Sequence, residues 1–177
     1  PEGCRFVEGD PTEKGRWQEA VKEHDVVVNL AGAGIFQRWT EPHKKTMRES
    51  RILTTRNLVE ALSEGSTLIS TSAVGYYGPH GDEELDENSP RGSDFLADLA
   101  MDWEAEAMEA EKKGVRVVIA RFGVVLGKGE GALGKLVPVF RMWLGSPLGS
   151  GKQWFSWIHV EDLVRIYPFI LERTEIS

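Results

Sequence analysis

The sequence predicts an α/β fold: a doubly wound parallel sheet with helices on both faces. Three observations predict it. Short apolar runs occur at residues 26–30 (VVVNL), 67–71 (TLIST) and 115–120 (VRVVIA), of the kind found in strands buried on both faces of a parallel sheet. Two long stretches with helical periodicity separate them. Each run then ends in small or hydroxylated residues. Strand, helix, strand, helix, strand is the grammar of βαβ units.

Residues 5–7 (RFV) read as the end of a further strand. In the stretch 42–62, Pro42 suits a first helical turn, Ile52, Leu58, Val59 and Leu62 form one face, and Gly65 closes the end. For 93–113, Ser93 is the expected cap, Phe95, Leu99, Trp103 and Ala107 fall four apart, and Gly114 supplies a left-handed stop. Residues 163–171 are a weaker helix, because Pro168 should break or kink it. Residues 78–92 form a polar loop whose acidic run at 82–87 (DEELDE) lacks an ordered calcium-ligand spacing and reads as solvated.

At 177 residues the chain has the length of one domain, taken as 1–177, with residues 127–157 as a substrate-side loop and helix. The start PEGCR is neither a signal peptide nor an initiator, and suggests a processed, trimmed or partial chain. No apolar run reaches membrane-span length. The single cysteine, Cys4, forbids an internal disulfide and fits a reducing cytoplasm. A net charge of −7 argues against nucleic-acid binding, which needs a basic surface, but leaves room for a small anionic ligand held by one or two arginines. His24, His43, His80 and His159 have no metal-ligand spacing, and no metal is expected.

Residues 129–134 (GEGALG) match G-x-G-x-x-G, and 129–135 match the opening of a P-loop. The P-loop reading needs Ser or Thr where Leu136 stands. No βαβ unit with a ribose-holding acid follows, so a glycine-rich turn is the expected reading.

The strand ends carry more. They read NLAG at 29–32, STSAVGYYG at 70–78 and RFGVVLG at 121–127. With WIHVEDL at 157–163, this order resembles the extended short-chain dehydrogenase/reductases, the NAD-dependent epimerase/dehydratase superfamily. RWT at 38–40, Lys44, SR at 50–51, TR at 55–56, WE at 103–104 and the stretch 148–162 resemble its epimerase-like branch, some of whose members are labelled cell-division inhibitor. The resemblance runs nearly end to end. It implies a Rossmann-type domain that lacks the first strand, the G-x-x-G-x-x-G turn and first helix of a full-length member, and much of the C-terminal lobe. It also implies NADP as cofactor, with NAD the alternative, and a small-molecule substrate. Superfamily members commonly pair through the two long helices, so a homodimer is the expected assembly.

By the same resemblance, Asn29, Leu30, Ala31 and Gly32 pass beside the cofactor, with Thr71, Arg121, Gly123 and Val124 at the other strand ends. Ser72 would donate a hydrogen bond to a substrate oxygen, and Trp39 and His159 would line the substrate side. Arg51 stands near the superfamily's catalytic asparagine. It would clamp a phosphate or carboxylate, or else serve as an exposed helical arginine. The superfamily's Y-x-x-x-K pair is missing: the matching helix reads FLADL at 95–99. Tyr77, rather than Tyr76, is the expected hydroxyl in its place. Trp103 and Glu104 are expected to anchor that helix on the sheet. The reading is an NADP(H)-binding epimerase/dehydratase-like oxidoreductase acting on a carbonyl or sugar-like substrate. The alternative is a catalytically silent NADP-binding redox sensor or interaction protein.

Overall fold

A computed structural model describes residues 3–129, 131–147 and 149–176, so Glu130 of the glycine-rich segment and Leu148 lie outside the described residues. The chain forms two compact units, one reaching Ala120 and one covering Arg121–Ile176.

The first unit contains α1 (Trp17–Lys22), β1 (Val26–Asn29), α2 (Glu41–Ala61), β2 (Thr67–Ala73), α3 (Phe95–Met108) and the start of β3 (Arg116–Phe122). The sheet order is β1-β2-β3. β1 and β2 run parallel, with Val27 opposite Leu68 and Asn29 opposite Ser70. Leu68 and Val117 pack with Val59, Leu62, Ala107, Ala110 and Val115 into one buried cluster, with Val27 and Ile119 against it. β1 departs from the expected burial on both faces: Val26 and Val28 remain 37% and 40% exposed while Asn29 is 2% exposed. Residues 5–7 are not a strand, and the six-residue α1 follows them in the chain.

The two long helices are fixed by their ends. Thr40 caps α2 by accepting from the His43 amide, with Pro42 in the first turn. At the other end, Lys113 donates to the carbonyls of Val59, Glu60 and Leu62 at 2.8–3.0 Å, satisfying groups that a helix C-terminus leaves open. α3 is capped by Asp94, not Ser93: the Asp94 carboxylate accepts from the Ala97 amide at 2.9 Å. A carboxylate there also meets the positive end of the helix dipole. Gly114 closes the following 3₁₀ turn at φ +72°. α2 and α3 are joined by ion pairs Arg48–Asp102 and Arg56–Glu106, and by the Trp103 indole N–H, which donates to Thr55 Oγ1 at 2.9 Å.

The second unit pairs β4 (Val124–Leu126) in parallel with β5 (Trp157–His159) and carries α4 (Gly131–Arg141) and α5 (Val160–Glu172). Pro168 lies inside α5 without ending it. The Val124 amide donates to the Ser156 carbonyl at 2.9 Å. A methyl group on Gly123 would fall 2.6 Å from that same oxygen, so this close approach admits only glycine.

Candidate active site

The first unit brings together most of the residues that the sequence singles out. β1 ends at Asn29, whose amide is buried and held from both sides. Its Nδ2 donates to Thr55 Oγ1 at 2.8 Å, and its Oδ1 accepts from the Ala31 amide at 3.2 Å. Thr55 thereby receives hydrogen bonds from Asn29 and from Trp103, tying the strand end to α2 and α3. The buried amide's interactions fix the direction in which the chain leaves the strand.

Beyond that turn the backbone of Ala33 is clamped by two successive residues of α2. Ser50 Oγ accepts from the Ala33 amide at 2.9 Å, while Arg51 Nη1 donates to the Ala33 carbonyl and to the Met47 carbonyl, both at 3.1 Å. The Arg51 guanidinium lies over the Trp103 ring, 5.1 Å from its centre. It also packs on Gly32, where an added methyl group would come within 2.8 Å of Cζ. Burial pushes the Arg51 pKa below its ordinary value, yet a guanidinium stays charged in a protein. Among the described residues no carboxylate pairs with it, whereas Arg48 and Arg56 of the same helix both have one.

β2 ends in two hydroxyls on opposite faces of the sheet. Thr71 Oγ1 is buried without a hydrogen-bond partner among the described residues. Such a group costs about 1–3 kcal/mol unless something satisfies it. Ser72, 3% exposed, donates to Glu104 Oε1 of α3 at 2.5 Å. Glu104 does hold α3 to the sheet, as expected. The bond also commits the one hydroxyl hydrogen that Ser72 was expected to offer a substrate.

Tyr76 and Tyr77 occupy a 3₁₀ turn, Val74–Tyr77, directly after β2, with their rings edge to face at 5.3 Å. The polar loop returns to this turn: the Gly92 amide donates to the Tyr76 carbonyl at 2.9 Å. His80 contacts the Tyr77 carbonyl and the Glu83 carboxylate, which holds its pKa above the ordinary histidine value. Trp39 is 40% exposed, edge-on to Phe95 at 5.8 Å, and donates to the Ile35 carbonyl. It therefore borders the start of the tyrosine-free α3. Leu30 is 66% exposed beside the turn.

Arg121, Gly123, Val124 and His159 fall in the second unit. There Gly123 and Val124 serve the approach to Ser156, and His159 caps α5 by accepting from the Glu161 amide at 3.3 Å. Sequence reasoning gave Thr55 no role beyond its motif. It treated Glu104 as an anchor, since nothing in the sequence pairs it with a serine 32 positions earlier.

The buried-amide turn after β1 and the serine near the end of β2 lie at the carboxyl ends of parallel strands, where nucleotide-binding α/β proteins hold their ligands. The model of the NAD dependent epimerase/dehydratase family matches residues 1–176, and the chain belongs to that family. It is 46% identical over 160 residues to the chloroplastic epimerase family protein SDR39U1 homolog of Arabidopsis thaliana, covering 87% of this chain and 46% of the relative. An epimerase family protein of Mycobacterium tuberculosis is 45% identical over 161 residues, covering 89% and 54%. Among solved structures, human epimerase family protein SDR39U1 with NADPH superposes with a TM-score of 0.82 at 38% identity, covering 91% of this chain and 58% of that one. The nucleoside-diphosphate sugar epimerase of Corynebacterium glutamicum gives 0.81 at 38%, covering 100% and 37%. The chain spans about half the length of the curated relatives that it matches.

Proposed function

We propose that this chain forms part of an NADP(H)-binding epimerase/dehydratase-like oxidoreductase that acts on a carbonyl or sugar-like substrate. The observation that carries the reading is Arg51: a half-buried cation, stacked on Trp103 and pressed against Gly32, with no carboxylate paired to it among the described residues. A cation so placed suits an anionic ligand lying along the turn after β1. The unsatisfied Thr71 hydroxyl suits a ligand with ribose or amide groups. The human relative solved with NADPH supports NADP over NAD.

In this reading Asn29, Leu30, Ala31 and Gly32 form the bed of the cofactor, Arg51 and Thr71 hold it, and Ser72, Tyr77 and Trp39 face the substrate. On the family resemblance, Arg121, Gly123 and Val124 are assigned to the cofactor and His159 to the substrate, with residues 1–177 read as one domain. Bound NADP(H) would supply hydride transfer. A cytoplasmic compartment fits the single unpaired cysteine, and pairing through α2 and α3, as superfamily members commonly do, would give a homodimer.

One observation favours a second reading. Residues 95–99 at the start of α3 hold neither a tyrosine nor a lysine, so a catalytically silent NADP-binding sensor is the competitor. Titration of NADPH fluorescence on the full-length protein tests the first step. Saturable binding is expected, weakened about tenfold or more by Arg51→Leu, since a lost charge-assisted contact costs at least ~1.4 kcal/mol. Absence of binding at high micromolar NADPH overturns both readings. Binding without NADPH oxidation across a panel of carbonyl compounds leaves the silent reading ahead.

A further inference from the structure

The family's usual proton donor is absent from α3, yet α3 still reaches the serine at the end of β2. It does so through Glu104, further along the helix. Ser72 is buried, and its hydroxyl points at Glu104 Oε1 across 2.5 Å, a distance typical of a hydrogen bond to a carboxylate. A serine has one hydrogen to donate. While Glu104 is ionised, that hydrogen is engaged, and Ser72 shows a ligand only lone pairs. It then accepts from a ligand hydroxyl and has no hydrogen with which to polarise a ligand carbonyl.

We propose that Ser72 and Glu104 together form the proton-transfer couple of this site, with Glu104 the positioning residue that takes up Ser72's hydrogen when a ligand hydroxyl is deprotonated. The inference rests on the oxidoreductase reading above. In the oxidation direction the ligand O–H bond breaks as its proton passes to Ser72 Oγ. The Ser72 O–H bond breaks as that proton passes to Glu104 Oε1. The oxygen's freed electron pair closes the carbonyl, and the carbinol hydride leaves to the oxidised nicotinamide dinucleotide as electron acceptor. In reduction the carboxylic acid of Glu104 returns its proton to Ser72, and Ser72 passes one to the ligand oxygen. The serine is the catalytic residue, because it alone touches the ligand. This arrangement removes the need for a phenol of lowered pKa, so Tyr77 can serve as wall rather than acid.

Two readouts on the full-length protein test the couple. The first does not involve turnover: the carboxyl carbon-13 resonance of Glu104, identified by its loss in Glu104→Gln, should move in Ser72→Ala. If it stays in place, the pair does not form and the proposal is overturned, whatever becomes of the oxidoreductase reading. The second is NADPH-dependent reduction across the carbonyl panel. Glu104→Gln should lower kcat on the order of 100-fold or more with KM and NADPH affinity nearly unchanged, and Glu104→Asp should recover part of it. Wild-type turnover that survives Glu104→Gln overturns the couple and leaves the enzyme reading standing. NADPH binding without any wild-type turnover overturns the enzyme reading, and the couple falls with it.

Discussion

The turn after β1 and the glycine-rich segment after β4 look alike as strings of small residues, and they are built for different reasons. In residues 129–134 every glycine has a local cause. Gly129 and Gly131 sit at φ +94° and +62°, where other residues are strained. Gly134 lies inside α4, where a methyl group would fall 2.9 Å from the Gly129 carbonyl. That spacing is accounted for by turning and packing alone. At Gly32 the space is filled by a guanidinium that no acid pairs with among the described residues. Glycine spacing marks where the backbone is crowded, and only the crowding group shows whether a ligand is involved.

The strongest break of this contrast is Trp103→Ala. Trp103 is 6% exposed, holds Thr55 and underlies Arg51, so its loss should cost ~3–5 kcal/mol in urea unfolding. Phe140→Ala in α4, where the ring is 61% exposed, should stay within ~0.5 kcal/mol. Equal losses at the two positions would dissolve the distinction.

The glycines sharpen it further. Gly32→Ala must displace Arg51, and overpacking of that kind costs ~1–3 kcal/mol. It should weaken NADPH binding along with stability. Gly34→Ala, with nothing within 4 Å of the added carbon, should leave both unchanged within error. The measurement is thermal unfolding and NADPH titration on the two variants side by side. A harmless Gly32→Ala would show that Arg51 is free to move and is not preorganised.

The fold was legible because parallel strands and their helices announce themselves by period and length. β1, β2 and β3 fall within a residue or two of the apolar runs, and α2 and α3 lie on their predicted faces. The short β4 and β5 were not legible as strands, since three residues carry too little pattern to separate them from loop. Pro168 misled because a proline costs a helix one donor and a clash, which the rest of α5 outweighs. In the site, Asn29 and Ser72 were readable as strand-end residues. Their partners were not, because Thr55 and Glu104 come from helices 26 and 32 residues later in the chain, and only the packing of α2 on α3 brings them in. Ser93 and Asp94 show the finer limit: two adjacent capping residues compete, and the sequence does not rank them.

The smallest effect concerns the loop that returns to the tyrosine turn. His80 lies between the Glu83 carboxylate at 2.8 Å and the Tyr77 carbonyl at 2.9 Å, and its protonated form donates to both. The hydrogen bond to Glu83 raises the His80 pKa above its ordinary 6.5. The same bond lowers Glu83 below its ordinary 4.5. The histidine's contribution is complete below pH 6.5 and fades as pH rises through its raised value. The carboxylate's contribution is complete above pH 4.5 and fades as pH falls through its lowered value. The loop is therefore held best between those two ordinary values and loosens towards alkaline pH, where the neutral ring keeps one N–H for the two acceptors. Proton NMR of the His80 ring should show a midpoint above 6.5 in the wild type, returning towards 6.5 in Glu83→Gln. An unshifted midpoint in the wild type would mean that the His80–Glu83 bond does not help to hold residues 78–92. The arm bearing Tyr77 would then be insensitive to pH.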